Sequence, residues 1–176
     1  MEKILIVVDM QNDFVDGALG TKEAREIVDR VAEKISGFEG RIFVTMDTHQ
    51  TDYLETAEGR KLPVPHCIKD TQGWYLNEKV RQALSGKIFK AIEKPTFGSL
   101  KLAEELREIR EKGEIEVEMM GLCTDICVVS NALLLKAYFP ETGITVCASC
   151  CAGVTPDTHR AALETMKMCQ IDIVEE

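Results

Sequence analysis

Apolar positions in this chain come in short blocks separated by polar turns. Residues 4–8 (ILIVV) form a β-branched run that stops abruptly, as a strand buried on both faces of a parallel sheet does. Ala24, Ile27, Val28, Val31 and Ile35 then recur at helical spacing until Gly37 closes the segment. Residues 41–46 (RIFVTM) predict a second strand, 75–84 a short helix and 88–92 a third strand. Leu102, Leu106 and Ile109 mark another helix, ended by Gly113, and IEVEMM alternates into a fourth strand. Residues 126–138 read as an apolar helix and ITVCAS as a fifth strand. Pro156 suits the first turn of a last helix running to Met168, and IDIVE closes as a sixth strand. Strands alternating with helices predict one domain over residues 1–176. Its expected form is an α/β/α three-layer sandwich on a mainly parallel, Rossmann-like six-stranded sheet. Residues 47–73 keep no period and hold Gly59, Pro63, Pro65 and Gly73, and an irregular stretch of that length usually carries function.

Composition narrows the partners. The 176 residues suffice for one well-filled core, and the net charge of -9 comes from acids and bases interspersed along the chain. Without a basic block, nucleic acid and anionic membrane surfaces are not expected partners. The first apolar run is too short for a secretory leader, and nothing approaches the roughly 20 apolar residues that span a bilayer. Seven cysteines without such a leader predict a reducing cytoplasm and free thiols.

In open parallel sheets, ligands bind beyond the carboxyl ends of the strands. By that rule Asp9 follows the first strand, Asp47 and His49 the second, Lys94 the third, and Cys123 to Cys127 the fourth. Each has an ordinary use as well: Asp9 capping a turn with Asn12 and Asp13, Lys94 in a solvated loop, Cys127 as a core thiol. Their shared place at one sheet edge favours chemistry. A thiol attacks as its thiolate, which a helix N-terminus and a nearby ammonium favour. Cys127 falls in the first turn after GLCTD, with Lys94 as the cation and Asp9 as the expected proton acceptor. Backbone N–H groups at that turn are placed for an oxyanion.

Asp47, His49 and His66 offer a carboxylate and two imidazoles, a set suited to a catalytic Zn²⁺, Fe²⁺ or Mn²⁺. The alternative is a surface loop with incidental histidines. Cys147-x-x-Cys150, followed by Cys151, lies within a strand rather than at a helix start, so these are expected to be core thiols. His159 reads as a surface histidine. No dinucleotide, Walker or EF-hand pattern is present, so no nucleotide cofactor is expected.

Three segments, VVDMQNDF, EKPTFGSL and GLCTDICVV, resemble in order the signature segments of the isochorismatase-like cysteine hydrolases. The resemblance covers nearly the whole chain. It implies that fold, an Asp9–Lys94–Cys127 triad, a thioester intermediate, and an oxyanion hole from the backbone N–H groups of Cys127 and Cys123. A cis peptide bond at Leu122–Cys123 is implied too. Asp47-x-His49 followed by Pro63-Val64-Pro65-His66 is similar to the metal site of the nicotinamidase branch, where D-x-H precedes P-x-H or PPH. This implies Asp47, His49 and His66 around a divalent metal, zinc first and iron or manganese next. Glu58, eight residues before His66, stands where some members place a further ligand, with Glu55 as the fallback. Where many members carry an aromatic ring this chain has Pro63, so Phe14 is the expected wall of the substrate site, ahead of Trp74 and Phe97. The activity implied is hydrolysis of nicotinamide to nicotinate and ammonia. Alternatives are another small amide or ureide, or a non-catalytic oligomeric binding protein. Homo-oligomers, dimers or tetramers, are common in the family.

Overall fold

The β-branched opening run becomes β1 (Glu2–Val8), in which Ile4 to Val8 have no exposed surface. The computed structural model describes residues 1–175. After β1 come the one-turn helix α1 (Asn12–Val15), α2 (Lys22–Gly37) and β2 (Arg41–Asp47). A 3₁₀ turn (Tyr53–Glu55) and the short helices α3 (Ala57–Lys61) and α4 (Glu78–Ala83) lead to β3 (Phe89–Lys94). Then follow α5 (Leu100–Arg110), β4 (Ile115–Leu122), a π-helical turn (Thr124–Val128) and α6 (Val129–Tyr138). The chain ends with β5 (Ile144–Ala152), α7 (Pro156–Met168) and β6 (Asp172–Val174).

The six strands form one sheet in the order β3-β2-β1-β4-β5-β6, and every pairing is parallel. Helices α2 and α4 pack together, while α5, α6 and α7 form a second contiguous set, which gives the three-layer α/β sandwich. The amphipathic spacing read from the sequence explains α2: Ala24, Ile27, Val28, Val31 and Ile35 are all buried, and the Thr21 side chain caps the helix by accepting from Ala24 N. No helix among the described residues is long and apolar enough to cross a membrane.

The direction of strand addition reverses between β1 and β4, so this pair forms the switch-point crevice where ligands bind in such sheets. Gly121 lets the two strands approach closely there. Its φ is +121°, and a Cβ would sit 2.2 Å from the carbonyl oxygen of Val8. On the other side of β1, register pairs Asp47 at the end of β2 with Lys94 at the end of β3.

Several elements differ from the reading of the sequence. The helix expected from Tyr75 begins only at Glu78, because Leu76 instead bridges Gln11 and Asn77 caps the helix. The third strand extends beyond Ile92 to Lys94 by pairing with β2. The single apolar helix expected over residues 126–138 is a π turn followed by α6, with Val128 N donating to Cys123 O. The fifth strand runs on to Ala152, and its register against β4 shifts between Met119 and Gly121.

Candidate active site

Three strand ends deliver the candidate reacting groups. Asp9 leaves β1 with φ of +46°, a left-handed conformation uncommon for a residue with a side chain. Its Oδ1 accepts from Thr45 Oγ1 at 2.6 Å, and its Oδ2 lies 2.7 Å from Lys94 Nζ. Lys94 Nζ also donates to Cys127 Sγ at 3.4 Å and to Thr96 O at 3.1 Å. Asp9, Lys94 and Cys127 are 0%, 1% and 4% exposed, so their charges act on one another with little solvent screening. Leu122–Cys123 is a cis peptide bond, and Cys123 starts the π turn that carries Cys127.

Electrostatics refine one expectation. Burial and the Asp9 anion hold the Cys127 thiol well above its ordinary pKa, more than Lys94 can offset. The sequence reading placed Cys127 where a helix terminus and Lys94 depress that pKa. The structure buries it beside a carboxylate, and that environment dominates. Burial likewise raises Asp9 above the usual carboxylate range, with Lys94 opposing it. Burial disfavours the Lys94 ammonium, yet the carboxylates of Asp9 and Asp47 outweigh it and keep the lysine protonated. The site therefore pairs a protonated thiol with a lysine ammonium, beside a carboxyl group more basic than usual. Burial also pushes the Cys123 thiol up to about 12.

Beside this group lies the second cluster. One potential donor atom each from Asp47, His49 and His66 falls within 4.8 Å of the others. Asp47 Oδ2 is 3.0 Å from His49 Nε2 and 3.4 Å from His66 Nε2. Glu58 Oε1 is 3.7 Å and 3.6 Å from the same two nitrogens, whereas Glu55 is exposed. His66 Nδ1 donates to Val64 O at 2.8 Å, which turns Nε2 toward Asp47 and Glu58. His49 Nε2 is buried without a hydrogen-bond partner among the described residues. Such an orphaned nitrogen facing carboxylates fits a divalent ion. Tyr53 walls the cluster, its ring edge-on to His49 at 4.7 Å and to His66 at 5.0 Å. Asp47 Oδ1 lies 3.6 Å from Lys94 Nζ, so the two clusters adjoin.

Both open into a cleft of about 460 Å³ whose walls include Phe14, Leu19, Leu62, Phe97 and Ile126. Phe14 also packs against His66, with ring centroids 5.5 Å apart. Trp74 lies outside this lining, its indole N–H donating to Thr48 Oγ1 at 2.9 Å. A larger depression of about 600 Å³ at the other end of the sheet is lined by charged residues such as Lys3, Glu116 and Glu118, away from these groups. His159 is half-buried rather than on the surface, paired through Nδ1 with Thr124 Oγ1 at 2.8 Å. Cys147, Cys150 and Cys151 are buried within β5.

Sequence reasoning passed over the residues that hold these clusters in place. Gln11 grips the backbone of Asp47 from both sides, Nε2 donating to its carbonyl and Oε1 accepting from its N–H, each at 2.8 Å. Asp13 Oδ2 accepts from Cys67 N at 2.7 Å, next to His66. The only signal for either was its place inside VVDMQNDF.

Fold and site together define an isochorismatase-type hydrolase: residues 3–175 match the isochorismatase domain, and the chain belongs to that family. Among its relatives, the nicotinamidase/pyrazinamidase of Mycobacterium tuberculosis is 28% identical, with 98% of each chain covered. The nicotinamidase/pyrazinamidase structure from Bacillus subtilis superposes with a TM-score of 0.84 at 27% identity, covering 99% of this chain and 100% of that one. The pyrazinamidase of Pyrococcus horikoshii, solved in complex with zinc, gives a TM-score of 0.78 at 27% identity with both chains fully covered.

Proposed function

We propose that this hydrolase acts on carboxamide C–N bonds and is a nicotinamidase, converting nicotinamide and water to nicotinate and ammonia. The observation that carries the reading is the adjacency of a buried Asp9–Lys94–Cys127 group to the Asp47–His49–His66 cluster in one cleft. The relatives named for this activity support it.

The substrate carboxamide faces Cys127 while Phe14 packs against the ring. Asp9 takes the thiol proton as the sulfur attacks the carbonyl carbon, so no thiolate need be present beforehand. Lys94 stays charged and stabilises the sulfur anion as it forms. Backbone N–H groups of Cys123 and Cys127 receive the oxyanion. Collapse expels ammonia, which takes its proton from Asp9, and leaves a thioester. Asp9 then deprotonates the water that hydrolyses it. Asp47, His49, His66 and Glu58 would hold a divalent metal, zinc first and iron or manganese next, which would supply Lewis-acid binding for the substrate ring. The aliphatic walls from Leu19, Leu62 and Ile126 support a second reading, another small amide or ureide in the same site.

The test is ammonia release from nicotinamide by the wild type, Cys127→Ala and Cys123→Ala. Cys127→Ala is expected to lose at least about 10³-fold in kcat, and Cys123→Ala to stay within about threefold. Activity surviving in Cys127→Ala refutes the mechanism. A wild type active on other amides and inert on nicotinamide selects the second reading.

A further inference from the structure

Asn131, in the first turn of α6, has no exposed surface, and its carboxamide joins three backbone groups from two separate segments. Its Nδ2 donates to Cys127 O at 2.8 Å and to Phe97 O at 3.1 Å, while Oδ1 accepts from Ser99 N at 2.9 Å. Cys127 carries the proposed nucleophile. Phe97 and Ser99 belong to the loop that follows Lys94 and caps α5, where Ser99 Oγ accepts from Leu102 N at 3.1 Å. That same loop supplies Thr96 O, to which the Lys94 ammonium donates. Gly98 lies close against α6, so that a Cβ there would come 3.3 Å from Ser130 O. The loop that orients the lysine and the turn that carries the cysteine are thus fastened together by one side chain. The fastening matters at this point because Cys127 sits in a π turn, a helical geometry tolerated mainly as a single turn.

We propose that Asn131 is a positioning residue that fixes Lys94 Nζ against Cys127 Sγ by tying the loop after β3 to the nucleophile turn. This rests on the reading of Cys127 as the nucleophile. The ordinary alternative is that Asn131 only satisfies buried backbone groups and so stabilises the fold. The two differ in what a folded variant does. A merely stabilising residue lowers the melting temperature and leaves reactivity intact. A positioning residue lowers reactivity in protein that is still folded.

Two substitutions separate them. Asn131→Ala removes all three bonds. Asn131→Thr keeps one, because a helical threonine hydroxyl donates to the carbonyl four residues back, here Cys127, but is too short to reach the loop. For each, kcat and KM for ammonia release are measured at a temperature where circular dichroism shows folded protein. The rate at which iodoacetamide alkylates Cys127 in substrate-free protein is measured alongside, with the modified cysteine located by mass spectrometry. Both variants are expected to lose about 10- to 100-fold in kcat with KM within about threefold, as sub-ångström misplacement does, and to alkylate at Cys127 about tenfold more slowly. Wild-type kcat and alkylation in either folded variant overturns the proposal, and Asn131→Thr carries the comparison if Asn131→Ala does not fold. Should the wild type release no ammonia from nicotinamide, the function proposed above fails, while the alkylation rates still decide the role of Asn131.

Discussion

At Asp9 opposing effects meet on one carboxyl group. Burial raises its pKa, while Lys94 and the Thr45 hydroxyl favour the carboxylate. In its proposed role as proton acceptor Asp9 must be ionised, so kcat/KM is expected to fall as pH drops through its raised pKa. Thr45→Val removes a bond that lowers that pKa, so the acid limb of the pH–kcat/KM profile is expected to move to higher pH. A limb that stays in place or moves down contradicts Asp9 as the base. The residues that carry charge or lone pairs were legible in the sequence because their chemistry is unusual at strand ends. Thr45, Gln11 and Asn131 were not. Each works by satisfying a group 36, 36 or 32 residues away along the chain, a separation at which local pattern is silent. The Cys127 pKa was misjudged for the same reason: proximity to a helix start is local, whereas burial and a facing carboxylate come from the whole fold.

Among the elements, β1 and β4 set the geometry of the crevice. Close approach at Gly121, which is level with Val8, brings Asp9 and the Leu122–Cys123 peptide out of neighbouring strand ends. Gly121→Ala sets a methyl group against the Val8 carbonyl and forces a left-handed backbone on a residue with a Cβ. It is expected to cost more than about 3 kcal/mol or to prevent folding, read from the urea midpoint at constant m. An unchanged midpoint means the strands separate there without consequence. Long amphipathic and buried elements, such as α2 and β1, were readable because their periods are sustained. The π turn was not, since one extra residue per turn leaves an apolar run looking like continuous helix. The stretch after β2 was recognisable as irregular, but its 3₁₀ turn and α3 depend on local caps such as Thr56, which accepts from Gly59 N.

For the molecule as a whole, the proposed metal ligands come from both ends of a long excursion, Asp47 and His49 at its start, Glu58 and His66 further along. An ion bound to that arrangement stabilises only the folded chain. At 100-fold excess over its Kd it contributes about 2.7 kcal/mol. For a chain of this size that is a rise of roughly 5–10 °C in Tm. Thermal melts of wild type and His66→Ala, with and without chelator, are expected to show a chelator-dependent fall in the wild type alone. Identical wild-type melts remove the metal from the reading. The α/β class was legible from blocks of buried strand, but strand order was not. Periodicity says nothing about which strands are neighbours, and it is the reversal between β1 and β4 that turns scattered strand ends into one site.

β3, whose last residue is Lys94, is an outer strand that pairs only with β2 and leaves most of its residues exposed. Peripheral segments open at lower free energy than the centre of a sheet. The ammonium therefore departs with a part of the chain that can detach while β1, β4 and β5 remain paired. If Lys94 serves the proposed reaction, catalytic competence is expected to have its own, smaller margin: in a urea titration ammonia release falls before the circular dichroism changes, and coincident transitions contradict this.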